Sequence, residues 1–207
     1  GHLGVTAHSP EALKRLLDYP EVETVMFPFN IVENQAVGTM QTAKERNIGF
    51  IAMKGLSGGL LTNAAAAYAY LDQFDHVLPI WGLQREAELD AFLACMKNPP
   101  LMNAKFQALI EKDRQQLLGS FCRACGYCMP CPVGIEINTC ARMAQLIRRS
   151  PAALQLTEEV QAKMRKIEEC IHCNQCKKKC PYGLDTPSLL AENYRDYQEI
   201  LSGKLPV

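Results

Sequence analysis

The chain has 207 residues, 48% of them apolar and 21% charged, which suits a soluble globular protein of one or two domains with a sizeable core. Twenty-two basic residues balance 22 acidic ones, so bulk charge gives no case for nucleic-acid binding, and no apolar window is long enough to cross a bilayer. Ten cysteines without anything resembling a secretory signal argue for reduced thiols in the cytoplasm rather than a disulfide framework.

From residue 3 onward, strand and helix patterns alternate with short connections. Residues 3–7 form a short apolar strand, and Ser9-Pro10-Glu11 supplies a helix start with serine as N-cap and proline at the first helical position. Strands are then expected at 24–29, 48–53 and 76–81, and helices at 35–46, 60–74 and 85–96. The last of these helices is expected to bury Leu89, Phe92, Leu93 and Met96. Four βα units in succession imply parallel strands with right-handed crossovers, half the complement of an eight-fold barrel. The chain opens Gly1-His2-Leu3, with a strand almost at once, which points to a fragment cut inside a larger protein. An open half-barrel would leave an apolar inner face, from Val5, Val25, Phe27, Ile51 and Met53 or their alternating neighbours, without its opposite wall. A homodimer, or association with the missing N-terminal half, is the expected remedy.

The segment 103–118 has helical spacing and is expected to bridge two domains, 1–100 and 119–207. Beyond it lie eight of the ten cysteines, in two runs. The first is Cys122-Arg123-Ala124-Cys125-Gly126-Tyr127-Cys128-Met129-Pro130-Cys131-Pro132. The second is Cys170-Ile171-His172-Cys173-Asn174-Gln175-Cys176-Lys177-Lys178-Lys179-Cys180-Pro181. A cubane cluster needs three thiolates on one short loop and a fourth from further along the chain, and in two-cluster ferredoxins the fourth cysteine of each run serves the other cluster. The spacing therefore assigns one [4Fe-4S] cluster to Cys122, Cys125, Cys128 and Cys180, and a second to Cys170, Cys173, Cys176 and Cys131. Structural zinc is the competing reading, but its four thiolates normally come as two separated pairs, unlike these two continuous runs closed by Cys-Pro.

Helices are expected at 137–149 and 157–169, with Thr157 as a cap, and a last one from Thr186-Pro187 to a stop at Gly203. The 39 positions between Cys131 and Cys170 accommodate the first two of these and favour an α-helical two-cluster ferredoxin-like domain. Cys95 and Cys140 have no ligand-spaced neighbours and are expected to be buried free thiols. Tyr127 and Met129 are expected to shield a cluster from water.

Several segments resemble the aldo/keto reductases. Gly4-Val5-Thr6-Ala7-His8, Phe27-Pro28-Phe29-Asn30 and Ile51-Ala52-Met53-Lys54-Gly55-Leu56-Ser57-Gly58-Gly59 look like that family's fifth, sixth and seventh strand ends. The stretch from Ile80-Trp81-Gly82 through Leu89 looks like the eighth strand and its helix start. The two cysteine runs are similar to a C-terminal extension carried by one branch of the family.

The resemblance implies an α/β fold, the C-terminal half of a (β/α)8 TIM barrel followed by a two-cluster domain, in an oxidoreductase that uses NADP(H). It places Lys54, Gly55, Ser57, Gly58 and Gly59 at the cofactor's pyrophosphate, and Gly82, Gln84, Arg85 and Glu88 at its adenosine end. A plain strand-to-helix turn is the alternative for the glycine-rich loop. The family often has other residues at Met26, Gln84 and Phe92. Its catalytic residues belong to earlier strands, so none is assigned here and the fragment alone is not expected to turn over. Clusters that move single electrons beside a hydride chemistry imply a ferredoxin or flavoprotein partner. A structural or docking role for the clusters, without redox turnover, is the alternative.

Overall fold

The computed structural model describes residues 1–83, 85–117 and 121–206, which fall into two compact units, Gly1–Leu118 and Gly119–Val207. The first unit alternates β1 (Leu3–Thr6), α1 (Pro10–Leu16), β2 (Val22–Pro28), α2 (Val37–Glu45), β3 (Gly49–Met53), α3 (Ala64–Leu71), β4 (Val77–Pro79) and α4 (Glu86–Lys97), and ends with α5 (Ala104–Leu117). Its four strands are all parallel and lie in chain order, β1-β2-β3-β4. Ser9 caps α1 by accepting from the Ala12 N–H at 3.3 Å, and Asn63 caps α3 by accepting from Ala66 at 2.9 Å.

Register puts Val5, Val25, Phe50 and Val77 in one row across the sheet. That row, with Phe27 and Ala52, packs under Leu13 of α1, Met40 and Ala43 of α2, and Leu71 of α3. The next row, Thr6, Met26, Ile51 and Leu78, points to the opposite face, because side chains alternate along a strand. It is only partly covered, and Leu78 is 64% exposed. The face expected to be open at the sequence level therefore needs correcting: Val5, Val25 and Phe27 lie under the helices, whereas Ile51 and Met53 are on the other side.

Two further expectations change in this unit. The helix expected over 60–74 begins only at Ala64, where Asn63 supplies the cap, and Leu60 and Leu61 are buried in the turn before it. On α4, Phe92 and Cys95 are buried but Leu89, Leu93 and Met96 are exposed. Phe92 stacks on Trp81 at 4.4 Å and α4 packs on α3, while Leu89, Leu93 and Met96 face out. The segment expected to bridge the domains packs into the first unit as α5, against α3. Arg114 of α5 donates from Nε to the Ile31 carbonyl at 2.9 Å.

The second unit is helical: α6 (Ile137–Cys140), α7 (Met143–Arg149), α8 (Ala152–Gln155), α9 (Glu158–Arg165), a 3₁₀ turn over Lys166–Glu169, α10 (Gln175–Lys178) and α11 (Thr186–Leu201). Helix α11 packs on α6, α7 and α9 around Cys140, Met143, Met164, Leu190 and Tyr197. The single helix expected over 137–149 is broken at Ala141-Arg142. Asn193 of α11 explains the break. Its Oδ1 accepts from the Ala144 N–H at 2.8 Å, and its Nδ2 donates to the Ala141 carbonyl at 3.4 Å and to Leu189 at 2.8 Å. Backbone groups released by the break thus find side-chain partners instead of remaining buried and unbonded.

Candidate metal centre

In the first unit, Lys54 and Gly55 follow directly on β3 and Gly82 follows β4, so these residues lie beyond C-terminal strand ends. Burial first, then the Lys54 ammonium, lowers the pKa of His8 at the end of β1 to about 4. Asn30, after β2, is fully buried and donates from Nδ2 to the Lys54 carbonyl at 2.9 Å. Its Oδ1 accepts from the Val32 and Glu33 amides, which folds that loop back on itself.

The glycine-rich loop, however, uses its own amides. Gly55 donates to the Ile80 carbonyl at 3.3 Å, Ser57 to Lys54 at 2.7 Å and Gly59 to Leu56 at 3.0 Å. These three groups have no donor left for a pyrophosphate in this conformation. Gly55 is a glycine for a packing reason, since a Cβ there would sit 2.7 Å from the Trp81 ring. The positive φ angles of Lys54, Ser57, Gly58 and Gly59 belong to the same tight turn. Arg85 and Glu88 bind each other, with Nη2 to Oε1 at 2.6 Å, at the start of α4, and Gly82 has open space around it. Gln84 lies outside the described residues.

The cysteine runs are organised differently. One cavity is lined by Cys122, Cys125, Cys128 and Cys180, with Arg123, Tyr182, Leu184 and Leu189 around them. A second is lined by Cys131, Cys170, Cys173 and Cys176, with Ile135, Ile137, Ile171 and Leu190, and is bordered by Cys128. The first cavity thus takes three thiols from the first run and Cys180 from the second, and the second takes three from the second run and Cys131 from the first, with Cys128 bordering both. Among the described residues, no three His, Cys, Asp or Glu side chains converge closely enough to hold a single ion; the thiols stand around a hollow instead.

Both runs wind the same way. The residues flanking the second cysteine of each run are left-handed: Ala124 (φ 52°) and Gly126 (φ 81°) beside Cys125, His172 (φ 51°) and Asn174 (φ 58°) beside Cys173. Glycine and asparagine take this conformation readily, but alanine and histidine pay about 1–2 kcal/mol for it, a strain that persists only where the surroundings impose it. The matching continues past the last cysteine. Cys131-Pro132-Val133-Gly134 and Cys180-Pro181-Tyr182-Gly183 are both closed turns, with Gly134 N–H donating to Cys131 at 3.0 Å and Gly183 to Cys180 at 3.2 Å. Each turn then leads through an apolar and an acidic residue, Ile135-Glu136 and Leu184-Asp185, into α6 and α11. This longer repeat was visible in the sequence as Cys-Pro-x-Gly-apolar-acidic, a signal that the cysteine spacing alone had obscured.

Burial favours the neutral thiol at Cys122, Cys128 and Cys176. Burial, reinforced by the neighbouring thiols of Cys122 and Cys125, pushes the Cys128 pKa up to about 11. Burial likewise raises Cys122 and Cys176, opposed at Cys122 by the Ala124 amide at 3.4 Å from Sγ and by the Arg142 charge. Four soft sulfur donors around a nearly apolar hollow match an iron–sulfur cluster, whose irons supply the positive charge needed to hold thiolates there. Tyr127 is 48% exposed and is no shield. Met129 does pack against the domain core, and Tyr182 stands beside the first cavity. Cys140 is fully buried, its Sγ donating to the Lys163 carbonyl at 3.6 Å, and Cys95 is also buried, so both are free thiols apart from the cavities.

A family described as a 4Fe-4S dicluster domain matches residues 121–185. This region, with both cavities, is a 4Fe-4S dicluster domain. No curated protein matches the chain. Among the described residues, no helix is long and apolar enough to cross a membrane.

Proposed function

We propose that the second unit relays single electrons through two [4Fe-4S] clusters, one held by Cys122, Cys125, Cys128 and Cys180, the other by Cys131, Cys170, Cys173 and Cys176. The observation that carries this reading is the exchange of the fourth thiol between the two cavities. When bound, such clusters supply one-electron redox capacity at potentials set by nearby charge, hydrogen bonds and solvent. The chain's own work is to present eight thiols on two left-handed loops and to keep water out. Leu184 and Leu189 do so at the first cavity, and Ile135, Ile137 and Leu190 at the second. Protein purified without oxygen is expected to be brown, to carry about eight irons and eight acid-labile sulfides, and to bleach reversibly with dithionite. Stoichiometric zinc without sulfide would end the cluster reading. Clusters that cannot be cycled in the folded protein would leave them structural.

The same proposal takes the first unit as the closing four βα units of an aldo/keto reductase-like barrel in a larger oxidoreductase. Support comes from strands in chain order with α1, α2 and α3 on one face, as a barrel wall requires; a doubly wound sheet reverses its order and has helices on both faces. The proposal does not extend to a nicotinamide site on the 54–59 loop, whose Gly55, Ser57 and Gly59 amides are already engaged. A ferredoxin or flavoprotein is the natural exchange partner for single electrons. The row of Thr6, Met26, Ile51 and Leu78, on the face away from the helices, is expected to be covered, by a second copy or by further βα units. Light scattering that finds this chain as a stable monomer at micromolar concentration would remove that part of the proposal.

A further inference from the structure

The two halves of the dicluster domain are alike in their backbone but not in their charge. At the position after the first cysteine of each run, one half has Arg123 and the other Ile171; at the position after each Cys-Pro, one has Tyr182 and the other Val133. Both members of each pair line their own cavity, so the comparison is between equivalent places. The Arg123 guanidinium lies 4.2 Å from the centroid of the Phe121 ring and 5.1 Å from that of Tyr182, and donates to the Phe121 carbonyl at 2.8 Å. Its position is therefore fixed by two ring faces and a hydrogen bond. Among the described residues, no charged side chain lines the other cavity.

We infer that Arg123, clamped by Phe121 and Tyr182, holds the cluster of Cys122, Cys125, Cys128 and Cys180 at a higher reduction potential than its twin, and so gives the pair a direction. Adding one electron adds one negative charge to a cavity, and a fixed cation beside that cavity favours the reduced form. The acidic residues at matching positions do not upset the comparison, because Glu136 pairs with Lys163 at 3.3 Å and Asp185 with Lys177 at 2.7 Å. Solvent works in the opposite sense. The loop of the second set is open at Ile171 (62% exposed) and Cys173, and exposure also raises a potential. That exposure touches one corner of the site, whereas the Arg123 guanidinium is itself part of the lining of the first. The open loop then marks the side where an external donor reaches the pair.

The inference rests on the electron-relay reading, and its test separates the two. Midpoint potentials of both clusters are measured in the full chain by potentiometry followed with electron paramagnetic resonance. Two potentials are expected, separated by at least a tenfold ratio in the one-electron equilibrium, 59 mV. In Arg123→Gln, at unchanged iron and sulfide content, the higher potential falls by at least that step while the lower one stays. If that variant loads poorly, Ile171→Arg, at an exposed site, provides the reciprocal arm and raises the lower potential. Unchanged potentials in a fully loaded variant, or movement of the wrong one, would overturn the inference and leave the relay intact. Clusters that accept no electron in the wild type would remove the relay and this inference together.

Discussion

Replacing Asn193 by alanine is expected to unseat the joint between the two halves of the dicluster domain. Asn193 is 5% exposed and satisfies the Ala144 N–H and the Ala141 carbonyl, the two backbone groups released where α6 gives way to α7. Truncation leaves both without a partner in a packed core. Each buried, unsatisfied group costs about 1–3 kcal/mol, and the 3.4 Å bond to Ala141 belongs at the low end, so the sum is about 2–4 kcal/mol. Asn193→Asp keeps an acceptor for Ala144 but loses the donor to Ala141 and buries a charge, so it should lose at least as much. Urea unfolding of the cluster-loaded chain, followed by far-UV circular dichroism and by the visible absorbance of the clusters, measures both variants. A loss under about 0.5 kcal/mol for Asn193→Ala, the size of an ordinary surface change, would refute the claim that this side chain supports the break.

Exchange of the fourth ligand predicts that Cys180→Ser harms the same cluster as Cys122→Ser, and Cys131→Ser the one shared with Cys170, with iron falling from about eight to about four in each case. Electron paramagnetic resonance of the surviving cluster assigns the pairs, and the opposite pairing would show that each run closes its own cluster. Gly55→Ala drives a Cβ to 2.7 Å from Trp81, a ring already stacked at 4.4 Å on Phe92, and should destabilise the first unit by about 1–3 kcal/mol in denaturant titrations. His8 is held neutral, with a pKa near 4 against 6.5. Between those values the unfolded chain binds the proton that the folded chain refuses, so its stability contribution is present above pH 6.5 and is lost as pH falls towards 4. At full value the shift is about 3 kcal/mol, and partial solvent access reduces it to about 1 kcal/mol. His8→Gln should flatten that stretch of the stability-versus-pH curve, and an identical curve would mean that the ring is not desolvated.

Features that depend on neighbours along the chain could be read directly from the residues. The strand and helix alternation of the first unit, the Ser9 and Thr157 caps, the cysteine spacings and the Cys-Pro stops are all short-range, so periodicity and turn chemistry reveal them. Local rules could not say which side of α4 would be buried, because that is settled by Trp81 and α3 rather than by the helix's own apolar stripe. Nor could they place the break after α6, which depends on a side chain 49 residues away. The glycine loop after β3 read equally well as a phosphate cradle or a plain turn, and only its closed hydrogen bonds and the Trp81 ring against Gly55 distinguish the two. The left-handed backbones of Ala124 and His172 run against both residues' own preferences, so no propensity would have suggested them. The eight thiols and their crossed division were legible from spacing, but the two hollows they line, and the Arg123 guanidinium that lines the first of them, exist only where distant segments meet.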